Sequence, residues 1–116
     1  MQSEEITENG LLSPHKIAEA LGTPLEELAW ALGFSEEDLK RSSFVLTDKA
    51  QNRLSNFIDI LAIATPRFGS ALLAYAWYRS EPLSGYADLT AMHLVWEGNA
   101  KQVLEYLEAI DSGVFA

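Results

Sequence analysis

A long amphipathic segment in the middle of the chain constrains the fold most strongly. Thr47 and Asp48 supply a helix start, and apolar residues at helical spacing then continue to about Ala64. A helix with one apolar face has to be covered by other elements of the protein. We therefore expect a central core helix whose buried stripe is Leu54, Phe57, Ile58 and Leu61.

A proline marks the expected end of this helix. Thr65 and Pro66 are predicted to stop it and to begin another helix over residues 67–78, because proline is well tolerated at a first helical turn. Several apolar residues of this next helix can pack inward: Phe68, Leu72, Leu73, Ala76 and Trp77.

The C-terminal part reads as two more helices after an irregular connection. Residues 80–85 are too rich in proline, glycine and serine for regular structure. A short helix is expected over residues 90–96, closed by Gly98, and a last one begins at Asn99 and ends at Gly113. The chain is therefore predicted to be essentially all-α.

Capping residues divide the N-terminal part into short helices. Ser13 with Pro14, Thr23 with Pro24 and, finally, Ser35 each mark a helix start, and Gly22 and Gly33 mark stops. Three short capped helices in about 30 residues suggest a helix-turn-helix unit. We place this unit at residues 13–46, after a loose arm at 1–12, and expect 44–46 to be a β-prone connector.

Composition favours a soluble cytoplasmic protein. The 116 residues include 48% hydrophobic ones, enough for a real core, and no cysteine, which excludes disulfides. No apolar run approaches the roughly 20 residues of a membrane span. The acidic, polar N-terminus does not resemble a signal peptide.

The sequence shows no motif of an enzyme. His15 and His93 fall in no metal-ligand spacing, and neither a glycine-rich phosphate loop nor a nucleophile elbow is present. We therefore predict no catalytic residue, no metal, no cofactor and no small-molecule substrate.

Charge argues against DNA binding by the helix-turn-helix unit. The formal net charge is −9, and Glu36, Glu37 and Asp38 occupy the first turn of the helix that would enter a major groove. The residues of this helix that could still favour DNA are Ser35, Lys40, Arg41 and Ser42.

The sequence ends on an apolar run directly after a helix. Gly113 is followed by Val114, Phe115 and Ala116, whereas chain termini are usually polar. Such a run either folds back onto its own core or contacts a partner, and local physics does not decide between them. Trp30, Trp77 and Trp96 are likewise core or contact residues.

An ordered set of short motifs from Asn52 onward resembles the toxin-binding domain of the Xre/MbcA/ParS antitoxins. The motifs are Asn52-Arg53-Leu54, Trp77 with Arg79 and Ser80, Pro82-Leu83-Ser84-Gly85, Leu94-Val95-Trp96-Glu97-Gly98, Val103-Leu104 and Gly113-Val114-Phe115. The helix-turn-helix unit also stands where this family has one. The chain departs from the family in having Thr90-Ala91 where Thr-Pro is common, and in a Pro82-to-Thr90 connection about one residue too long.

The resemblance implies an antitoxin that neutralises a RES-domain toxin, which consumes NAD or uses it to modify a protein. It implies an all-α chain in which the small helix-turn-helix unit packs beside a toxin-binding domain at residues 47–116. It also implies a homodimer, with autorepression through operator DNA in some members. The alternatives are a stand-alone helix-turn-helix repressor and a small enzyme.

The resemblance also suggests which residues meet the toxin. We expect a partly exposed platform around the connection, with Val114 and Phe115 as anchors that enter the toxin cleft and the carboxylate of Ala116 meeting a basic group there. The full set of expected toxin-binding residues is Trp77, Arg79, Leu83, Trp96, Gly113, Val114, Phe115 and Ala116.

Overall fold

The computed structural model describes residues 1–113, which are mostly helical, so the all-α prediction is confirmed. They divide into two compact units, Met1–Asn56 and a second that begins at Phe57. In chain order the elements are α1 Ser3–Ile6, β1 Thr7–Glu8, β2 Leu11–Leu12, α2 Pro14–Leu21, α3 Leu25–Leu32, α4 Glu36–Lys40, α5 Ser42–Val45, α6 Asp48–Phe68, α7 Ala71–Ser80, α8 Ala91–Trp96 and α9 Ala100–Asp111.

The expectation of a loose arm at residues 1–12 is wrong. The segment forms α1 and a two-stranded antiparallel hairpin in which Thr7 pairs with Leu12. Ile6 is buried, and the side-chain amide of Gln51 bonds both backbone groups of Leu12 at 3.0 Å. The buried side chain of Ile6 and the hydrogen bonds from Gln51 therefore anchor a segment whose composition looks polar.

The short helices of the first unit begin and end at capping residues. Ser13 and Ser35 accept backbone hydrogen bonds at the starts of α2 and α4. Gly33, at φ 78°, closes α3 in the left-handed region that glycine adopts without strain. The core that these helices share is Ile17, Leu21, Leu28, Leu32, Leu39, Ala50 and Leu54.

Two details of this unit differ from the sequence-based expectations. Thr23 donates its hydroxyl hydrogen bond to Glu27 at 2.8 Å, and α3 has no side-chain cap. Residues 44–46, expected to be a β-prone connector, belong mainly to the single turn α5. Phe44 lies edge-on against Phe34, with ring centroids 5.0 Å apart, so tertiary packing outweighs the local β preference.

The long helix α6 continues through Pro66 to Phe68, so its predicted end is wrong. Pro66 lies in the last turn of this helix and has no N–H to donate to the carbonyl one turn before it. The Thr65 hydroxyl donates to the Leu61 carbonyl at 2.6 Å in the same turn. The chain then turns at Gly69, and Ser70 caps α7 by accepting from the Leu73 N–H.

An aromatic cluster forms the centre of the second unit. The ring of Phe57, fully buried, meets Tyr78 edge-on at 5.0 Å and Tyr75 at 5.9 Å. The helix α8 packs on α7 and α9. Other side chains that complete this core are Ile60, Leu61, Leu83, Leu94, Val95, Val103 and Leu107.

Candidate partner-binding surface

The connection between α7 and α8 is an ordered loop. The Leu83 N–H donates to the Leu89 carbonyl at 2.9 Å, and Pro82 and Thr90 form an antiparallel bridge. Thr90 then caps α8: its hydroxyl oxygen accepts from the His93 N–H at 3.1 Å and lies 3.0 Å from His93 Nδ1. The expected start of this helix is therefore confirmed.

The predicted platform residues are less exposed than the sequence suggested. Leu83 is buried, so the expectation that it belongs to an exposed platform is wrong, and its side chain is part of the core. Trp77 is only 9% exposed and stacks on Phe68, with centroids 5.4 Å apart. Both side chains are therefore part of the core on which the loop and α7 pack.

Arg79 and Trp96 are the half-buried members of the predicted set. The Arg79 Nε–H donates to the Tyr75 carbonyl at 3.3 Å, and its guanidinium lies 4.2 Å from the centre of the Tyr75 ring. Trp96 contacts the ring of His93 edge-on at 5.1 Å. Both side chains keep surface that a partner could cover.

The start of α7 carries an apolar patch that the sequence reading placed in the core. Leu72 and Leu73 are 58% and 57% exposed, so the expectation that they pack inward is wrong. The buried positions of this helix are instead Ala74, Tyr75, Trp77 and Tyr78. Both leucines lie in the first turn of α7, one turn before buried residues of the same helix faces. We call Leu72 and Leu73 the α7 patch.

The predicted tail lies at the edge of the described chain. Ser112 follows α9, and Gly113 has φ 83°, which places the chain in the left-handed region after the helix. Val114, Phe115 and Ala116, the predicted anchors, lie outside the described residues.

The predicted DNA-contacting residues cluster at α4 but are balanced by acids. Lys40 Nζ lies 3.5 Å from a Glu36 carboxylate oxygen, and Arg41 pairs with Asp38. Ser35 accepts from the Asp38 N–H and Ser42 begins α5, so both have structural positions. Since both cations already face carboxylates one helical turn away, this face offers phosphate little net attraction.

The third tryptophan is exposed on the first unit. Trp30 is 49% exposed on α3, and Pro24, Glu26 and Glu27 line the shallow groove beside it. The sequence left open whether Trp30 is a core or a contact residue, and the structure places it on the surface.

Residues 1–113 contain no group of three or more histidine, cysteine, aspartate or glutamate side chains able to hold a metal ion. Within the same range no single helix is both long and apolar enough to cross a membrane; α6 and α7 reach that length and apolarity only together, across a bend of 110°. Neither the family models, nor the curated proteins, nor the solved structures yield a match to this chain.

Proposed function

We propose that this chain is an antitoxin that neutralises a RES-domain toxin by covering the toxin's active site. The observation that carries the proposal is the ordered series of motifs from Asn52 to Phe115 that resembles the Xre/MbcA/ParS toxin-binding domain. Under this proposal the protein acts by binding another protein and needs no cofactor of its own.

The surface of the second unit supports a binding role. The α7 patch presents two large leucines to solvent at the start of the helix that carries Trp77 and Arg79. Apolar side chains exposed together are typical of protein interaction sites. The loop after α7 is already ordered before a partner binds, so little conformational entropy would be lost on binding.

Charge also supports a basic target cleft. A net charge of −9 would speed the approach to a cleft that binds the phosphates of NAD, because opposite potentials raise association rates. In this proposal Val114 and Phe115 fill the apolar part of that cleft, as the family resemblance implies.

Co-expression with a RES-domain toxin encoded beside this chain's gene tests the proposal. We expect the two proteins to purify as one complex and cellular NAD to be preserved. The double variant Leu72→Asp/Leu73→Asp should weaken the complex while the chain stays folded, since both side chains are exposed. The matched control is Leu11→Asp/Leu46→Asp, which makes the same exchange at two exposed leucines of the first unit and should leave the complex intact. Failure of the unmodified chain to bind and protect would overturn the antitoxin function.

Truncation after Ser112 tests the mode of neutralisation separately. The shortened chain keeps α9 and should keep its fold. We expect it to retain part of its affinity for the toxin and to lose protection, because the cleft is left open. A truncated chain that still protects cells would refute occlusion by the tail while leaving toxin binding in place.

The proposal includes a homodimer, which sedimentation of the purified chain would measure. The alternative of a stand-alone DNA-binding repressor has weaker support because Lys40 and Arg41 each face a carboxylate.

A further inference from the structure

A groove of about 530 Å³ lies between exposed faces of α6 and α9, wholly within the second unit. Its floor is apolar and consists of Ala62 and Ile63 from α6 and Leu104 from α9. Ile63 is 42% exposed, so part of this apolar surface is open to solvent. The residues that complete the lining are all acidic: Asp59, Glu108 and Asp111.

Helical periodicity explains why these side chains share one groove. Asp59, Ala62 and Ile63 are spaced by three and four residues along α6 and therefore lie on one helix face. Leu104, Glu108 and Asp111 have the same relation along α9. Each helix thus contributes an apolar position with a carboxylate about one turn away.

The acidity of the groove is only partly balanced. Arg67 Nη1 lies 3.3 Å from Asp111 Oδ1, so that carboxylate already has a partner. Asp59 and Glu108 form no ion pair with any residue in the described part of the chain. An occupant that brings positive charge beside apolar surface therefore complements both features of the groove.

We propose that this groove binds an amphipathic segment of another protein in which arginine or lysine side chains flank apolar ones. The apolar side chains cover Ile63 and Leu104, and the basic ones meet Asp59 and Glu108. A second copy of the chain fits less well, because its own groove face and its net charge of −9 oppose those of the first. The inference is independent of the proposed function, since it concerns α6 and α9 rather than the tail or the α7 patch.

Synthetic peptides and the full chain test this inference. The probe is a leucine–arginine peptide of about 15 residues, designed as an amphipathic helix. Its comparison peptides are a scrambled sequence of equal charge and a leucine–glutamate version of the same pattern. We expect the amphipathic basic peptide to bind at least about tenfold more tightly than either comparison peptide, as measured by calorimetry.

Charge-matched variants locate the binding. The double variant Asp59→Asn/Glu108→Gln should lower the affinity for the basic peptide about tenfold. The double variant Glu19→Gln/Glu37→Gln removes two exposed acids of the first unit and should change that affinity less than about twofold. Ile63→Arg should abolish binding without unfolding the chain, because the side chain is already partly in water. Backbone amide shifts should concentrate on α6 and α9.

Three outcomes would overturn the inference. Equal losses in both double variants would mean that diffuse negative charge holds the peptide. Equal binding of the leucine–glutamate peptide would remove the role of the carboxylates. A dimer of the unmodified chain that Ile63→Arg dissociates would assign the groove to a second copy.

Discussion

At the scale of single residues, Phe57 joins the aromatic cluster at the centre of the second unit. It is fully buried and contacts two tyrosine rings. Phe57→Ala should lower the free energy of unfolding by about 3–5 kcal/mol, because a cavity replaces the ring. Urea unfolding measures this, with Leu73→Ala as the exposed control, expected to stay within about 0.5 kcal/mol. Similar losses for the two variants would contradict the burial described above.

Two neighbouring loop residues should respond in opposite directions to exchange between alanine and glycine. Gly85 has φ 85° with nothing within 4 Å of an added Cβ, and Ala87 has φ 55°. A non-glycine residue in the left-handed region destabilises the folded state by roughly 1–2 kcal/mol. Glycine lowers stability by about 0.4–1 kcal/mol, because it increases the conformational entropy of the unfolded chain. Because the first effect is larger, Gly85→Ala should destabilise the chain and Ala87→Gly should stabilise it, each by about 0.5–1 kcal/mol in urea unfolding. Changes of the same sign would show that backbone strain does not dominate here.

At the scale of elements, the short helix α8 depends on its first residue. The Thr90 hydroxyl oxygen accepts from the His93 N–H, and the residue is buried, so water cannot easily replace it. Thr90→Ala should therefore cost about 1–2 kcal/mol of unfolding free energy. Thr90→Ser keeps the hydroxyl and should recover most of that loss. Equal stability of the alanine and serine variants would rule out the cap as the source of the effect.

Sequence periodicity predicted which segments form helices better than it predicted which side of each helix is buried. Helix starts at Ser13, Ser35 and Thr90 were predictable because capping chemistry is local. The continuation of α6 past Pro66 was not, because local sequence marks proline as a helix end and does not show when a helix keeps it in its last turn. The exposure of Leu72 and Leu73 was not predictable, because periodicity places them on the same helix faces as buried residues one turn later. Only tertiary packing decides how far along the helix the core extends.

The position of the loop between α7 and α8 was predictable from the sequence, and the burial of its side chains was not. Turn residues located the loop between α7 and α8, and its neighbours Trp77 and Arg79 were named from the resemblance. Leu83 is buried in a loop whose ends are joined by the bridge between Pro82 and Thr90, and this pairing of residues eight positions apart leaves no mark in local sequence.

At the scale of the whole molecule, excess negative charge should govern encounters with other polyelectrolytes. The chain has 17 acidic and 8 basic residues. We expect no retardation of random-sequence duplex DNA in a gel at physiological salt, because phosphate repels this surface. A basic protein of similar size serves as the positive control. Sequence-specific retardation with a steep salt dependence would instead favour the repressor.

The same charge should make thermal stability depend on ionic strength. Repulsion among like charges destabilises the compact state, and salt screens it within about 10 Å at 0.1 M. Raising sodium chloride from low to physiological concentration should therefore raise Tm by a few degrees. Calorimetry in sodium and potassium chloride measures this, and the two salts should agree. A Tm that falls with salt would mean that attractive pairs such as Arg67 with Asp111 outweigh the repulsion.

The side chain of Gln51 gives the N-terminal hairpin an unexpected protection. Its amide oxygen accepts from the Leu12 N–H and its amide nitrogen donates to the Leu12 carbonyl, which is the pattern an adjacent strand would make. Open strand edges recruit further strands and seed aggregates. By imitating a third strand with a single amide, Gln51 closes the edge at Leu12 to that kind of growth.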